Sequence, residues 1–153
     1  MFIKLCIIHI SNSNLLCVPV ARCPVGWIAT GWNCFQIRQD VLTWPEAQRG
    51  CESNAPGVHL ASVKMHTDFL SVSEKLQSHN HLLLLWTSLN DRGEEGRLCW
   101  ADGSTYNLSV AVISSLTANQ TDCFALQRNA TGPGYFFTSL LCDVQLPYIC
   151  HTP

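Results

Sequence analysis

Apolar residues along this chain come in short runs cut by polar breakers, and one run dominates. Leu82, Leu83, Leu84, Leu85 and Trp86 follow one another without interruption, between Ser78-His79-Asn80 on one side and Asn90-Asp91-Arg92-Gly93 on the other. An apolar run closed off so tightly reads as a strand over residues 81–89 buried on both faces, in preference to a core helix. It is far too short to cross a membrane, which takes about 20 residues.

Around this strand the pattern alternates between short strands and two helices. Trp27-Ile28-Ala29 and Asn33-Cys34-Phe35-Gln36-Ile37 read as two short strands joined by a turn at Gly31. Thr43-Trp44-Pro45-Glu46 is a helix start: Thr43 caps, Glu46 completes a capping box, and Pro45 sits in the first turn, where its missing amide hydrogen costs nothing. That helix places Trp44, Ala47 and Cys51 on one face, and the Asn54-Ala55-Pro56-Gly57 cluster ends it. Residues 58–61 alternate as a strand, and Thr67-Asp68 opens a second helix in which Phe69, Val72 and Leu76 share a face.

Downstream of the central run, residues 92–97 and 101–104 are polar turns that flank Leu98-Cys99-Trp100. Residues 104–121 show little periodicity and read as a long surface loop, a feature uncommon unless functional. Strands are predicted at residues 123–127, 135–137 and 147–150, with a Gly/Pro turn over residues 129–134. Two helices with short antiparallel strands gathered mainly after them make an α+β domain.

Composition narrows the compartment and the partners. A chain of 153 residues that is 47% hydrophobic can bury one proper core. At 13% charged residues and a net charge of −2, with Lys and Arg scattered, it offers no basic surface for nucleic acid. Nine cysteines suit a compartment in which disulfides persist. Three glycosylation acceptors, Asn107, Asn119 and Asn129, each followed by Ser or Thr two residues on, agree with a secreted or extracellular glycoprotein. Residues 1–21 carry Lys4 and two apolar patches split by polar residues 11–14, which reads either as an atypical signal peptide or as a stub left from a longer chain. The folded domain is expected to run from Cys23 to His151.

Several motifs together resemble a C-type lectin-like domain. They are Cys23-Pro24 with Gly26-Trp27, Cys34-Phe35, Trp44 with Ala47 and Cys51, His59-Leu60-Ala61-Ser62, Trp86-Thr87-Ser88-Leu89, Trp100-Ala101-Asp102-Gly103, Asp122-Cys123, and Cys142 with Cys150. They occur in the family's order over residues 23–151. Trp86-Thr87-Ser88-Leu89 stands where the family has its Trp-Ile-Gly-Leu signature. The resemblance implies a disulfide-stapled C-type lectin-like fold with bridges Cys23–Cys34, Cys51–Cys150 and Cys123–Cys142. It leaves Cys6, Cys17 and Cys99 over, with Cys99 open to three readings: a buried thiol, an intermolecular bridge or an aberrant residue.

The same resemblance implies what is missing. Family members that coordinate sugar through Ca²⁺ use a Glu-Pro-Asn or Gln-Pro-Asp triplet in the long loop and a Trp-Asn-Asp triplet further on. Here the loop after Asp102 has neither proline nor acid, and the second triplet is Phe137-Thr138-Ser139. Neutral hydroxyls do not replace carboxylate ligands, so no metal and no cofactor is expected at these positions. Asp91, Glu94, Glu95 and Asp102 read as a polar turn, with a weak accessory Ca²⁺ or other cation site as the alternative, and His79 and His81 as solvated loop residues. The loop's Tyr106, Leu108, Val112, Ile113 and Leu116 are candidate ligand contacts, or else they pack beneath the loop. No catalytic motif is present. The expectation is a non-enzymatic extracellular binding module for a protein or glycan ligand, with no membrane span. Its alternatives are a carbohydrate binder with a non-standard site and a structural domain of a larger receptor or matrix protein.

Overall fold

A computed structural model describes residues 2–7, 16–21, 23–108, 113–114 and 121–153. The N-terminal apolar patches form β1 (Phe2–Ile7) and β2 (Leu16–Ala21), which pair antiparallel as a separate two-stranded sheet. The remaining strands form one mixed sheet: β3 (Ile28–Ala29), β4 (Cys34–Leu42), β5 (His59–Leu60), β6 (Leu84–Asn90), β7 (Ile113–Ser114), β8 (Cys123–Arg128), β9 (Tyr135–Leu140) and β10 (Leu146–Thr152). Spatial order is β3-β4-β10-β6-β8-β9-β7, with β5 added on β10. The sheet is therefore not wholly antiparallel as expected: β10 runs parallel to β6, and β7 parallel to β9. Helices α1 (Trp44–Glu52) and α2 (His66–Gln77) complete the domain.

The capping box at the start of α1 is formed in full. Thr43 Oγ1 accepts from the Glu46 amide at 3.4 Å, and the Glu46 carboxylate accepts from the Thr43 amide at 2.9 Å. The Thr43 amide first, and then the Thr43 hydroxyl, hold the Glu46 carboxyl below its ordinary range. Helix α2 starts earlier than Thr67-Asp68 suggested: its N-cap is Met65, whose side chain makes no capping bond. Strand β4 reaches five residues past Ile37, because pairing with β10 carries a polar stretch that alternation alone would end.

The dominant apolar run also differs from its expected bounds. Its strand begins at Leu84; residues 79–82 turn, with the Leu82 amide donating to the His79 carbonyl at 3.0 Å, and Leu83 faces solvent. From Leu85 to Asn90 every residue is buried. This stretch lies between β10 and β8, so both faces and both edges are covered.

Thr87 and Ser88 are completely buried. Each hydroxyl is satisfied: Thr87 Oγ1 donates to the Phe124 carbonyl at 3.0 Å, and Ser88 Oγ pairs with Ser62 Oγ at 2.8 Å. Trp86 fills one side of the core and donates through Nε1 to the carbonyls of Leu42 and Val144, both at 3.1 Å. Trp44 Nε1 donates to the Thr87 carbonyl at 2.7 Å and so ties α1 to β6. The bridges Cys23–Cys34, Cys51–Cys150 and Cys123–Cys142 are all formed. Cys51 and Cys150 lie 99 residues apart, a loop whose closure is worth about 4–5 kcal/mol on the chain-entropy account. Cys99 is half-buried and unbridged.

Candidate functional site

The end of β6 hands the chain to the turn after it, and there the polar residues gather. Asn90 is buried and donates through Nδ2 to the Ser88 carbonyl at 2.9 Å, while its Oδ1 accepts from the Arg92 amide at 3.3 Å. The Asp91 amide donates to the Asp122 carbonyl at 3.0 Å, which brings residues 91 and 122 side by side just before Cys123 enters β8. The turn then folds Glu95 back over them. Oxygen atoms of Asp91, Glu95 and Asp122 all lie within 4.8 Å of one another.

Asp91 is 5% exposed. Its Oδ2 accepts from the Gly96 amide at 3.0 Å, but its Oδ1 is buried with no hydrogen-bond partner. Three carboxylates so close repel one another, and a buried acceptor left unpaired costs about 1–3 kcal/mol. An all-oxygen set of this kind fits a hard divalent cation such as Ca²⁺, which takes oxygen ligands at 2.3–2.6 Å, and not a metal that prefers nitrogen or sulfur.

The acidic residues singled out from the sequence divide. Glu94 turns away toward Arg97, at 3.4 Å, and Asp102 pairs with Lys64. Asp91 and Glu95 stay and are joined by Asp122, which no local pattern linked to them. No other cluster of three such ligands occurs among the described residues. His79 and His81 lie with their ring centres 6.1 Å apart; His79 Nδ1 contacts the Lys75 carbonyl and His81 Nε2 contacts Gln39, with no third ligand.

The candidate contact residues of the long loop fare differently. Leu108 is buried in the main core and offers no contact surface, which corrects its assignment as a ligand residue. Tyr106 is half-buried against that core, its ring 5.9 Å from Trp100 and 6.0 Å from Phe137, and burial raises its phenol pKa. Ile113 takes part in β7, beside Phe137 of β9, an element the aperiodic loop did not suggest. Val112 and Leu116 lie outside the described residues. Of the glycosylation acceptors, Asn107 and Asn129 are exposed, and Asn119 lies outside the described residues.

At the positions of the second lectin triplet, Phe137 is fully buried, while Thr138 and Ser139 continue β9. Ser139 Oγ accepts from Thr121 Oγ1 at 3.1 Å.

Residues 40–152 match the family model described as the lectin C-type domain. The alpha chain of snaclec botrocetin from Bothrops jararaca is 30% identical over 139 residues, covering 86% of this chain and 98% of that protein. One of the subunits of the snaclec coagulation factor IX/factor X-binding protein from Gloydius halys is 29% identical over 136 residues, covering 85% of this chain and 84% of that one. The C-type lectin domain of murine dendritic cell inhibitory receptor 2, solved in complex with an N-glycan, is similar in structure with a TM-score of 0.67. It covers 86% of this chain and 98% of its own, at 20% identity, a level that bears on the fold alone.

Proposed function

The chain belongs to the lectin C-type domain family and is a C-type lectin-like binding module; from that premise we propose that it works outside the cell, without catalysis, and recognises a protein or glycan ligand without sugar-coordinating Ca²⁺. The observation that carries this reading is the pair of missing triplets. The loop after Asp102 supplies no carboxylate, and Phe137-Thr138-Ser139 replaces the second ligand set with a buried ring and two hydroxyls. Ca²⁺ that is to hold a sugar needs several hard oxygens left open to solvent, and these positions do not provide them.

A protein ligand is favoured over a glycan, in keeping with the relative whose name describes binding to coagulation factors. Exposed Asn107 and Asn129 are the proposed glycan carriers on this chain. Three disulfides and those sequons support secretion, or display as the extracellular part of a membrane protein; no helix among the described residues is long and apolar enough to cross a membrane.

Asp91, Glu95 and Asp122 would hold a Ca²⁺ ion that braces the turn after β6. The ion's charge would offset three carboxylates and give Asp91 Oδ1 its missing partner. This role is structural and distinct from sugar coordination.

Calorimetric titration with Ca²⁺, followed by a glycan array with and without chelator, tests the reading. Ca²⁺ should bind, and no array signal should depend on it. Ca²⁺-dependent glycan binding that a free monosaccharide competes away would overturn the proposal.

A further inference from the structure

A cavity of about 610 Å³ opens beside β5 and β10, and none of Asp91, Glu95 and Asp122 lines it. Its volume is in the range of small-ligand pockets. Buried Leu60, Ser62 and Asp68 form its floor, and exposed Glu52, Lys64 and Met65 stand at its rim. His59 and His151, opposite each other in the β5–β10 pairing, line one wall.

The polar groups of this cavity have a definite sign. Glu52, Asp68 and Asp102 are carboxylates, and Lys64 is the only Lys or Arg among the lining residues. Lys64 is already committed to Asp102 by an ion pair. Burial would raise the Asp102 carboxyl, but hydrogen bonds from Lys64 and Ser104 outweigh it and hold the group at about 2. The His151 ring is neutral at physiological pH: burial, then the nearby His59, push it down to about 4, and its Nδ1 accepts from the Ser62 amide at 3.2 Å.

Asp68 is 2% exposed, accepts from Asn33 Nδ2 at 2.9 Å, and has no ion-pair partner among the described residues. It lies in the first turn of α2, whose amide end favours negative charge there, but no full counter-charge accompanies it, which leaves it open to a cationic head group. An anion would find no unpaired cation here. A metal would find no converging third ligand.

We propose that this cavity binds an organic cation, an ammonium or guanidinium on an aliphatic stem, with the head group hydrogen-bonded to Asp68, Glu52 drawing it in at the rim, and the stem packed along Leu60 and Met65. Such a group arrives either as a small free amine or as the end of a Lys or Arg side chain on a partner protein. The Glu52 and Asp68 carboxylates recognise both in the same way. Charge-assisted hydrogen bonds to a floor carboxylate supply the affinity, and the apolar wall excludes water from them.

The test is a heteronuclear NMR titration of the whole chain with butylammonium, with N-acetyl-arginine amide, with a Gly-Gly-Lys-Gly-Gly peptide, and with butyrate as the anionic control. Both small cations should give saturable shifts at the amides of Leu60, Ser62 and Asp68, and butyrate none. Asp68→Asn keeps the bond from Asn33 and should weaken cation binding about tenfold, the loss expected for one charge-assisted bond. Glu52→Gln, at an exposed site, should weaken it by a smaller factor, and Lys64→Gln should tighten it by releasing Asp102. These two surface variants decide the matter if Asp68→Asn fails to fold. Tighter binding of the lysine peptide than of butylammonium assigns the site to a partner side chain, and the reverse assigns it to a free amine. Absence of saturable shifts with both small cations, equal response to butyrate, or unchanged affinity in Glu52→Gln and Lys64→Gln would overturn the proposal.

Discussion

The core around β6 and the turn that follows it are joined by one residue, yet they handle polar groups in opposite ways. In the strand, Thr87 and Ser88 are wholly buried and each hydroxyl has a partner inside the chain. In the turn, Asp91 is almost as deeply buried, but one carboxylate oxygen has no partner and two more carboxylates crowd it. The strand satisfies its own polar groups, whereas the turn leaves one buried carboxylate oxygen unpaired, the feature on which the proposed Ca²⁺ site rests. A satisfied strand and an unsatisfied turn therefore sit side by side in this protein, and each can be tested separately.

The largest effect should come from the frame that holds both regions. Removing the Cys51–Cys150 bridge by a double Cys→Ala change should cost about 4–5 kcal/mol in denaturant unfolding. A much smaller loss would mean that the self-sufficient core holds the sheet without its longest staple.

Protonation of His151 probes the cavity side of the same sheet. Its folded pKa, about 4, lies below the ordinary 6.5, so the unfolded chain binds the proton more readily. Its contribution is full above pH 6.5 and is lost as the pH falls toward 4, by up to about 3 kcal/mol. Asp102 and Lys64 face the ring together with His59 and modulate that loss. His151→Gln should flatten the slope of stability against pH in this window, and an unchanged slope would exclude His151 as its source.

Saturating Ca²⁺ should raise the melting temperature through the turn alone, by an amount equivalent to about 2–3 kcal/mol at a hundredfold excess over Kd. Asp91→Asn should abolish that gain, and without Ca²⁺ it should slightly stabilise the protein by relieving repulsion. A Ca²⁺ response that persists in Asp91→Asn would place the ion elsewhere.

The smallest effect belongs to the strand. Thr87→Val keeps the shape but removes the bond to the Phe124 carbonyl, at about 1–2 kcal/mol. A neutral outcome would mean that the strand tolerates an unpaired carbonyl, and the contrast between the two regions would weaken.

Local features were legible where neighbours in sequence are also neighbours in space. The Thr43-Trp44-Pro45-Glu46 start of α1 could be read in full, because every partner lies within one helical turn. The buried strand around Trp86 could be read from its unbroken apolar run, although not its first residue, since Leu83 turns outward. Pairing of the cysteines came only from the family resemblance. Long-range contacts were hidden: nothing around Asp122 announces that it will meet Asp91 and Glu95, and β4 is extended by a strand more than a hundred residues away. In the long loop, hydrophobicity could not separate a contact residue from a buried one, and Leu108 proved to be the latter.

The position of β10 has a consequence for how this protein is made. Residues 146–152 are inserted between β4 and β6, so the middle of the sheet is made after every other strand of it. Until then β4 and β6 expose unpaired edges, and Cys51 waits for Cys150 while Cys123 and Cys142 are already able to react. Late closure of distant strands is slow and prone to wrong pairings. Biosynthesis of this domain should therefore depend on thiol-disulfide exchange after translation, and truncation before Leu146 should leave a nascent chain that chaperones retain.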